Sequence, residues 1–432
     1  MKKTFKKLVF GLLYFLTCVR IRRLRPFIIG VTGSVGKTST KDAIYSILKT
    51  RYNVLRNEKS YNTEFGLPLA ILEQSSGFSS AWGWVKTLLR SFGKAFWGGH
   101  NIQMMVLEMG VDKPGDMDVL LKLVKPQIGV MTAIKPVHLG PGQFKDLEDI
   151  FLEKRKLINR LPEKGFAILN ADDPYIVALY NNLKCKKLFY GFSDIADLKV
   201  LSLDNTANGI RFTISFKEAI QECELALPGK FQIYVVLPAL AVALSQGFTL
   251  EEACEALKSY QLPPGRMNLI EGINGAIIID SSYNASPEAM KEALLVLKDF
   301  PGARKIAVLG SMNELGAHAE KYHREVGKAA CETADILITI GDQAEWIFDA
   351  AQKNGVEAGA QLKPGAKAES LSRHFQNSEE AAYYLQTFLQ KGDIMLVKGS
   401  QNNVRLEKLI KALMQNPEKA DEVLVRQDKA WK

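Results

Sequence analysis

The sequence is poor in cysteine. Its 432 residues hold five, Cys18, Cys185, Cys223, Cys254 and Cys331, and none falls in a C-x-x-C pair. Neither a disulfide framework nor a zinc ribbon is expected, and a reducing, cytoplasmic compartment fits best. Internal repeats and low-complexity segments are also missing. The apolar stretch LVFGLLYFLTCV, Leu8 to Val19, has twelve residues, whereas a bilayer span needs roughly 20. Basic residues follow it where a signal peptide would place a small-residue cleavage site. Acid is absent from the first 25 residues, which hold Lys2, Lys3, Lys6, Lys7, Arg20, Arg22, Arg23 and Arg25. These supply +8 of the formal +9 and leave the rest near neutral. A broad nucleic-acid surface is thereby disfavoured, and no nucleic-acid partner is expected. The N-terminal segment reads either as a helix packed on the body or on a second subunit, or as an interfacial helix on anionic lipid at the inner face of the membrane.

What is present is ordinary globular material, 47% hydrophobic and 24% charged, in a chain long enough for two or three domains. Short apolar runs alternate with helical spacing: FIIGV (27–31), MMVLEMG (104–110), IGVMTAI (128–134), FAILNADD (166–173), AIIIDSS (276–282), KIAVLGSM (305–312), DILITIGD (335–342) and DIMLVKGS (393–400). Continuous apolar strands ending in Gly, Asp, Asn or Ser mark a parallel sheet covered by helices, with ligand groups at the carboxyl ends. A capping box, Thr249 with Glu252, starts a helix that stops before Pro263-Pro264, so a boundary is expected near Ser259–Gly272. The last seventeen residues read as a solvated tail or a loosely held helix.

The stretch GVTGSVGKTST, Gly30 to Thr40, follows the first strand. It fails the usual G-x-x-x-x-G-K-[ST] phosphate loop, because Val31 stands where the first glycine belongs. The physical needs of a phosphate cradle are nevertheless met. Gly33 and Gly36 let N–H groups turn toward an anion, a helix N-terminus follows, Lys37 can reach phosphates and Thr38 can ligate Mg²⁺. Glu108 ends a strand where a second Mg²⁺ ligand would stand. His138 and Lys154 are unremarkable alone, the one a lone histidine and the other on a charged helix.

Taken in order, TGSVGKTSTK, YNTEFGLPLAIL, LEMGVDKPGDM, His138-Leu139, EKRKLINRLPEKGFAILNADDP, PPGRM, IDSSYNASPEAM, AVLGSMNELG and LVKGSQNNVRLE resemble the Mur ligase family, closest to the branch that adds D-alanyl-D-alanine to a UDP-muramoyl tripeptide of peptidoglycan. The resemblance runs from about Phe27 to about Leu413. It implies an α/β protein: a basic, apolar segment at 1–25, a central ATP-binding P-loop domain at 26–262 with a mostly parallel sheet, a Rossmann-like α/β domain at 263–415, and a tail at 416–432. The family's T-G-x-x-G-K-T form explains Val31 and assigns Gly33, Ser34, Gly36, Lys37, Thr38 and Ser39 to the phosphates of ATP. It further implies that Glu108 binds magnesium with Thr38, and that His138 and Lys154 serve a second ion, this lysine being typically carbamylated in the family. Asn62 and Thr63 would contact the acceptor. Arg266 would reach the γ-phosphate, Asp280 the ribose, and Tyr283 and Asn284 would border the nucleotide. Lys398 and Ser400 would meet the incoming amine. The implied reaction joins a carboxylate acceptor to an amino acid or dipeptide through an acyl phosphate, with ligands arriving from both domains.

Departures accompany the match. Members normally begin with a further domain that holds the UDP portion, and here about 25 residues precede the first strand. The T-N-[IV]-G-x-x-H pattern becomes Thr132-Ala133-Ile134-Lys135-Pro136-Val137-His138, and G-x-H-N-x-x-N becomes Gly229-Lys230-Phe231-Gln232-Ile233-Tyr234-Val235. The lost asparagines commonly contact adenine, so base recognition is expected to be loosened. Other readings stay open: a relative that adds amino acids to poly-γ-glutamate or a folate, or a nucleotide-binding, non-catalytic relative.

Overall fold

A computed structural model describes residues 3–57, 61–76, 81–99, 101–135, 142–181, 183–206, 209–313, 315–357, 372–400 and 404–427. The chain forms two compact units, one of residues 1–202, 212–223 and 231–260, the other of 203–211, 224–230 and 261–432.

In the first unit, helix α1 (Lys3–Leu24) leads into β1 (Phe27–Thr32), α2 (Lys37–Leu48) and β2 (Val54–Arg56). There follow α3 (Gly66–Ile71), α4 (Ala81–Phe96), β3 (Met104–Glu108), α5 (Asp116–Leu123), β4 (Ile128–Met131), α6 (Leu147–Asn159) and β5 (Phe166–Asn170). Strands β6 (Lys186–Gly191), β7 (Leu198–Thr206), β8 (Gly209–Phe216) and β9 (Ala219–Leu225) extend the sheet, whose order is β2-β3-β1-β4-β5-β6-β7-β8-β9. From β2 to β7 neighbouring strands pair parallel. The central strands are buried on both faces, which is why they read as unbroken apolar runs rather than alternating ones. Because β1 lies between β3 and β4, the chain leaves it toward both sides, and the crevice at its carboxyl end is where such sheets bind ligands. The helix Leu250–Leu257 starts at the capping box of Thr249 and Glu252, with both reciprocal bonds present.

The second unit holds β10 (Asn268–Glu271), β11 (Ile277–Ser281), β12 (Arg304–Gly310), β13 (Ile336–Ile340), β14 (Arg373–Phe375) and β15 (Asp393–Lys398), in the order β10-β11-β15-β12-β13-β14. Only β10 runs antiparallel to its neighbour. The mixed α/β class and the mostly parallel sheets agree with the pattern of apolar runs.

Two expectations fail. Cys223 and Cys254 form a disulfide across a separation of 31 residues. Strand β9 and the helix after Thr249 bring them together, and spacing along the chain carries no trace of that. The C-terminal stretch is not a solvated tail: Ala420 and Leu424 are buried in the second core, and Arg426 donates to the carbonyl of Tyr283 at 2.7 Å. The N-terminal helix packs on the body, one of the readings its sequence allows: it runs 22 residues, well past the apolar stretch, and buries Val9, Leu13 and Leu16 against Leu69, Leu72, Trp84 and Ala95. Among the described residues no helix is long and apolar enough to cross a membrane.

Candidate active site

The turn from β1 into α2 is built to face an anion. Gly33 adopts φ +148° and Gly36 φ +78°, conformations that L side chains enter only under strain. A Cβ on Gly33 would also lie 1.9 Å from Thr132 Oγ1. Gly36 caps α2, so the first N–H groups and the positive helix end point into the turn. Lys37 folds back across the loop, its Nζ donating to the carbonyls of Gly33 (2.9 Å) and Ser34 (3.1 Å). Ser34 is tied to the segment after β4: its N–H donates to Ala133 O at 2.7 Å, and its hydroxyl donates to Lys135 O and accepts from Lys135 N, both at 2.9 Å. Ser39 is buried one turn into α2, and the Tyr260 hydroxyl donates to its carbonyl at 3.0 Å.

Strand register places Glu108 beside Val31, at the lip of this loop. Its carboxylate is 2% exposed and held from both sides. Thr38 Oγ1 donates to Oε2 at 2.8 Å, and Asn62 Nδ2 donates to Oε1 at 2.7 Å. A buried anion next to a phosphate cradle is sustained by a cation between them. The Thr38 hydroxyl and Glu108 carboxylate are the hard oxygen donors that Mg²⁺ takes. Among the described residues no three His, Cys, Asp or Glu side chains gather as a metal cluster, so an ion here would draw its remaining ligands from phosphate oxygens and water.

Lys154, on α6, is 1% exposed. Burial lowers its pKa to about 7, the Lys37 charge adds to that effect, and Asp112 and Glu153 oppose it. Near neutral pH much of it is therefore a neutral amine, a nucleophile rather than a cation. His138 lies outside the described residues.

Asn62 and Thr63 part company. The Asn62 side-chain amide donates to Glu108, and its backbone carbonyl accepts from Gly110 N at 2.9 Å. Thr63 is exposed and lines a cavity of about 300 Å³ with Gly110, Asp112 and Lys113, whereas Asn62 is half-buried. A larger cavity of about 750 Å³, lined by Phe151, Arg155, Tyr175 and Cys185, includes none of the loop residues.

In the second unit the strand ends gather a separate group. Ser281 and Lys398 are register partners on β11 and β15. Lys398 Nζ donates to Ser281 Oγ at 3.0 Å and to Asn284 O at 2.9 Å. Burial, then the nearby Arg266 charge, lowers its pKa to about 8. Ser400 Oγ donates to Ala285 O at 3.2 Å and accepts from Asn313 N at 3.0 Å. The carboxyl of Asp280 is fully buried, and burial pushes its pKa up to about 6 against a 2.9 Å bond from Ser282 N to Oδ1. Among the described residues its buried Oδ2 has no hydrogen-bond partner. The Arg266 guanidinium stacks 4.4 Å from the centre of the Tyr283 ring.

One residue that sequence reasoning missed supports the first unit's site. Asn57 is fully buried, and its amide grips the Glu108 backbone, Oδ1 accepting from Glu108 N at 2.8 Å and Nδ2 donating to Glu108 O at 3.3 Å. No motif signals it, since the pairing exists only across strands. Gln232, singled out only as a departure, is 2% exposed with an unpartnered Oε1.

A parallel sheet with a phosphate loop, a hard-oxygen cation pair and a buried neutral lysine defines a nucleotide-dependent enzyme of the P-loop α/β class. The Mur ligase middle domain matches residues 31–243, and the Mur ligase glutamate ligase domain matches 265–401. The chain belongs to the Mur ligase family, a family of ATP-dependent ligases. UDP-N-acetylmuramoyl-tripeptide–D-alanyl-D-alanine ligase of Bacillus subtilis is 29% identical over 402 residues, 92% of this chain and 78% of that protein. The enzyme of the same name from Escherichia coli is 26% identical over 394 residues, 90% of this chain and 77% of that one. Among solved structures, Thermotoga maritima MurF ligase in complex with ADP is 26% identical with a TM-score of 0.71, covering 95% of this chain and 84% of that one.

Proposed function

We propose that this chain is an ATP-dependent amide ligase that adds D-alanyl-D-alanine to a muramoyl-peptide precursor of peptidoglycan, in the cytoplasm where ATP is available. The observation that carries the reading is the Thr38–Glu108–Asn62 arrangement at the phosphate loop, with buried Lys154 beneath the charge of Lys37. The names of the matched relatives support the substrate class.

The acceptor carboxylate attacks the γ-phosphorus, the bond to the bridging oxygen breaks, and ADP leaves an acyl phosphate behind. The amine then attacks the acyl carbon, phosphate departs, and the amine gives up a proton. The loop N–H groups and Lys37 offset the charge spread over the transferring group. Magnesium, when bound, supplies further charge neutralisation at the phosphates. Thr38 and Glu108 would hold that ion, and Asn57 and Asn62 keep the Glu108 carboxylate aimed. As a neutral amine, Lys154 could add CO₂, forming a nitrogen–carbon bond and releasing a proton, and the carbamate would then be a carboxylate able to hold a second ion. Asp280 takes a ribose hydroxyl, Arg266 a phosphate, and Lys398 with Ser400 the amine-bearing substrate.

The test is release of ADP and phosphate with UDP-muramoyl tripeptide, D-alanyl-D-alanine, ATP and Mg²⁺. Turnover is expected only when both substrates are present. ADP release that ignores both would overturn the ligase reading, and activity confined to a folate or polyglutamate acceptor would overturn the substrate.

A further inference from the structure

Helix α4 is apolar on two sides, and only one of them is used. Its inner side, Trp84, Thr87, Ser91 and Ala95, is buried, with Trp84 and Ala95 in a cluster with Val9, Leu13 and Leu16 of α1. Arg23 near the end of α1 donates to the carbonyls of Ala95 and Gly98, so the two helices lie side by side with their C-terminal ends together. The outer side carries Trp82, Val85, Leu89, Phe92 and Phe96, exposed at positions i, i+3, i+7, i+10 and i+14, and Trp97 continues the stripe. Trp82 is 82% exposed, Leu89 70% and Trp97 66%. On α1, Leu8, Leu12 and Phe15 are exposed with the same helical spacing. An exposed apolar stripe of this length on a soluble surface marks a docking site.

Charge selects the occupant. Residues 1–25 and 74–107 hold eleven basic residues and no acid, against +9 for the whole chain, so everything else is net −2. Lys86 and Arg90 are exposed on α4 beside the stripe. Glu73, the nearby acid, is already paired with Arg20 and with Lys94, and it shares with Arg90, Lys94 and Trp97 an open hollow of about 570 Å³. A second copy of this chain docking through the same stripe would set like charges against like, with no acid on the face to pair them. Tryptophan at both ends, aliphatic and phenyl side chains between, and Lys and Arg alongside are instead what the boundary of an anionic bilayer accepts. We propose that α1 and α4 form a peripheral docking surface for an anionic lipid bilayer, with the α4 stripe lying in the headgroup region. This goes beyond the ligase reading and does not rest on it.

The test is sedimentation of the full chain with vesicles of phosphatidylcholine alone and of equimolar phosphatidylcholine and phosphatidylglycerol. Binding is expected to the second only and to weaken as salt rises. L89S/F92S, which alters exposed positions, should lower the partition coefficient on the order of 10- to 100-fold. K86Q/R90Q should lower it about 10-fold and flatten its salt dependence. Thermal unfolding of both variants should match the parent, and ADP release with soluble substrates should be unchanged. Absence of binding, or binding that neither variant alters, overturns the proposal. So does a parent dimer in sedimentation equilibrium that L89S/F92S dissolves, because the stripe would then be covered by a second copy.

Discussion

Replacing Lys154 by methionine should stabilise the protein while abolishing its activity, and the gain should depend on pH in a stated direction. The side chain is 1% exposed, and its pKa falls from an ordinary 10.5 to about 7. Each unit is worth about 1.4 kcal/mol. Because the folded pKa is depressed for a base, the unfolded chain binds more protons between those two values, and stability rises with pH across that window. The burden is therefore fully present below about pH 7, at about 5 kcal/mol, and vanishes above 10.5. At about pH 7.5 it is still about 4 kcal/mol, and at about pH 9.5 it has shrunk to about 1.5 kcal/mol. Methionine fills a similar volume without a charge to desolvate, so K154M should exceed the parent by those amounts. Native-state hydrogen exchange of the β1, β3 and β4 amides reports the opening free energy of this unit directly. The comparison belongs in bicarbonate-free buffer, since a carbamate would remove the titrating amine. A gain that is flat across pH, or a loss at every pH, would refute the reasoning.

Three further outcomes are expected. Glu108→Gln keeps the shape of the side chain but removes the charge that Thr38 and Asn62 hold, and should cut kcat on the order of 100- to 1000-fold with an unchanged melting temperature; steady-state ADP release checks it. Gly33→Ala meets Thr132 Oγ1 and the backbone N of Ala133 as well as an unfavourable φ, and should destabilise by about 2–4 kcal/mol. Thr132→Ala in the same chain should restore only part of the urea midpoint, because the backbone clash stays. The Cys223→Ser/Cys254→Ser variant opens a loop of 31 residues and should lose about 3–4 kcal/mol; a parent whose melting temperature ignores dithiothreitol would contradict the bond.

The site divides sharply into parts visible in the chain and parts that are not. Gly33, Gly36, Lys37 and Thr38 are contiguous, and their chemistry is a property of one turn, so a short string suffices to find them. Lys154 is legible only through a family's ordered motifs, because alone it is an ordinary charged residue, and Glu108 is suggested by its place at a strand end. Asn57 has no such signal. Its role exists because β2 and β3 are neighbours, which lets the amide at the end of one strand grip the backbone of Glu108 at the end of the other. Asn62 is legible from its motif, but its bond to the Glu108 carboxylate is visible only in the fold.

The sequence by itself determined the α/β class, the positions of most central strands and the phosphate turn, because these depend on local apolar runs and on which residues tolerate a positive φ. Tertiary structure alone decided the rest. It paired Cys223 with Cys254, docked the C-terminal stretch through Ala420, Leu424 and Arg426, and buried Lys154 deeply enough to move its pKa to about 7. It also laid α1 along α4 so that one apolar side of α4 is covered and the other is left to the solvent. In each case the deciding quantity is removal from water or proximity across long separations, and neither is written in the order of the residues.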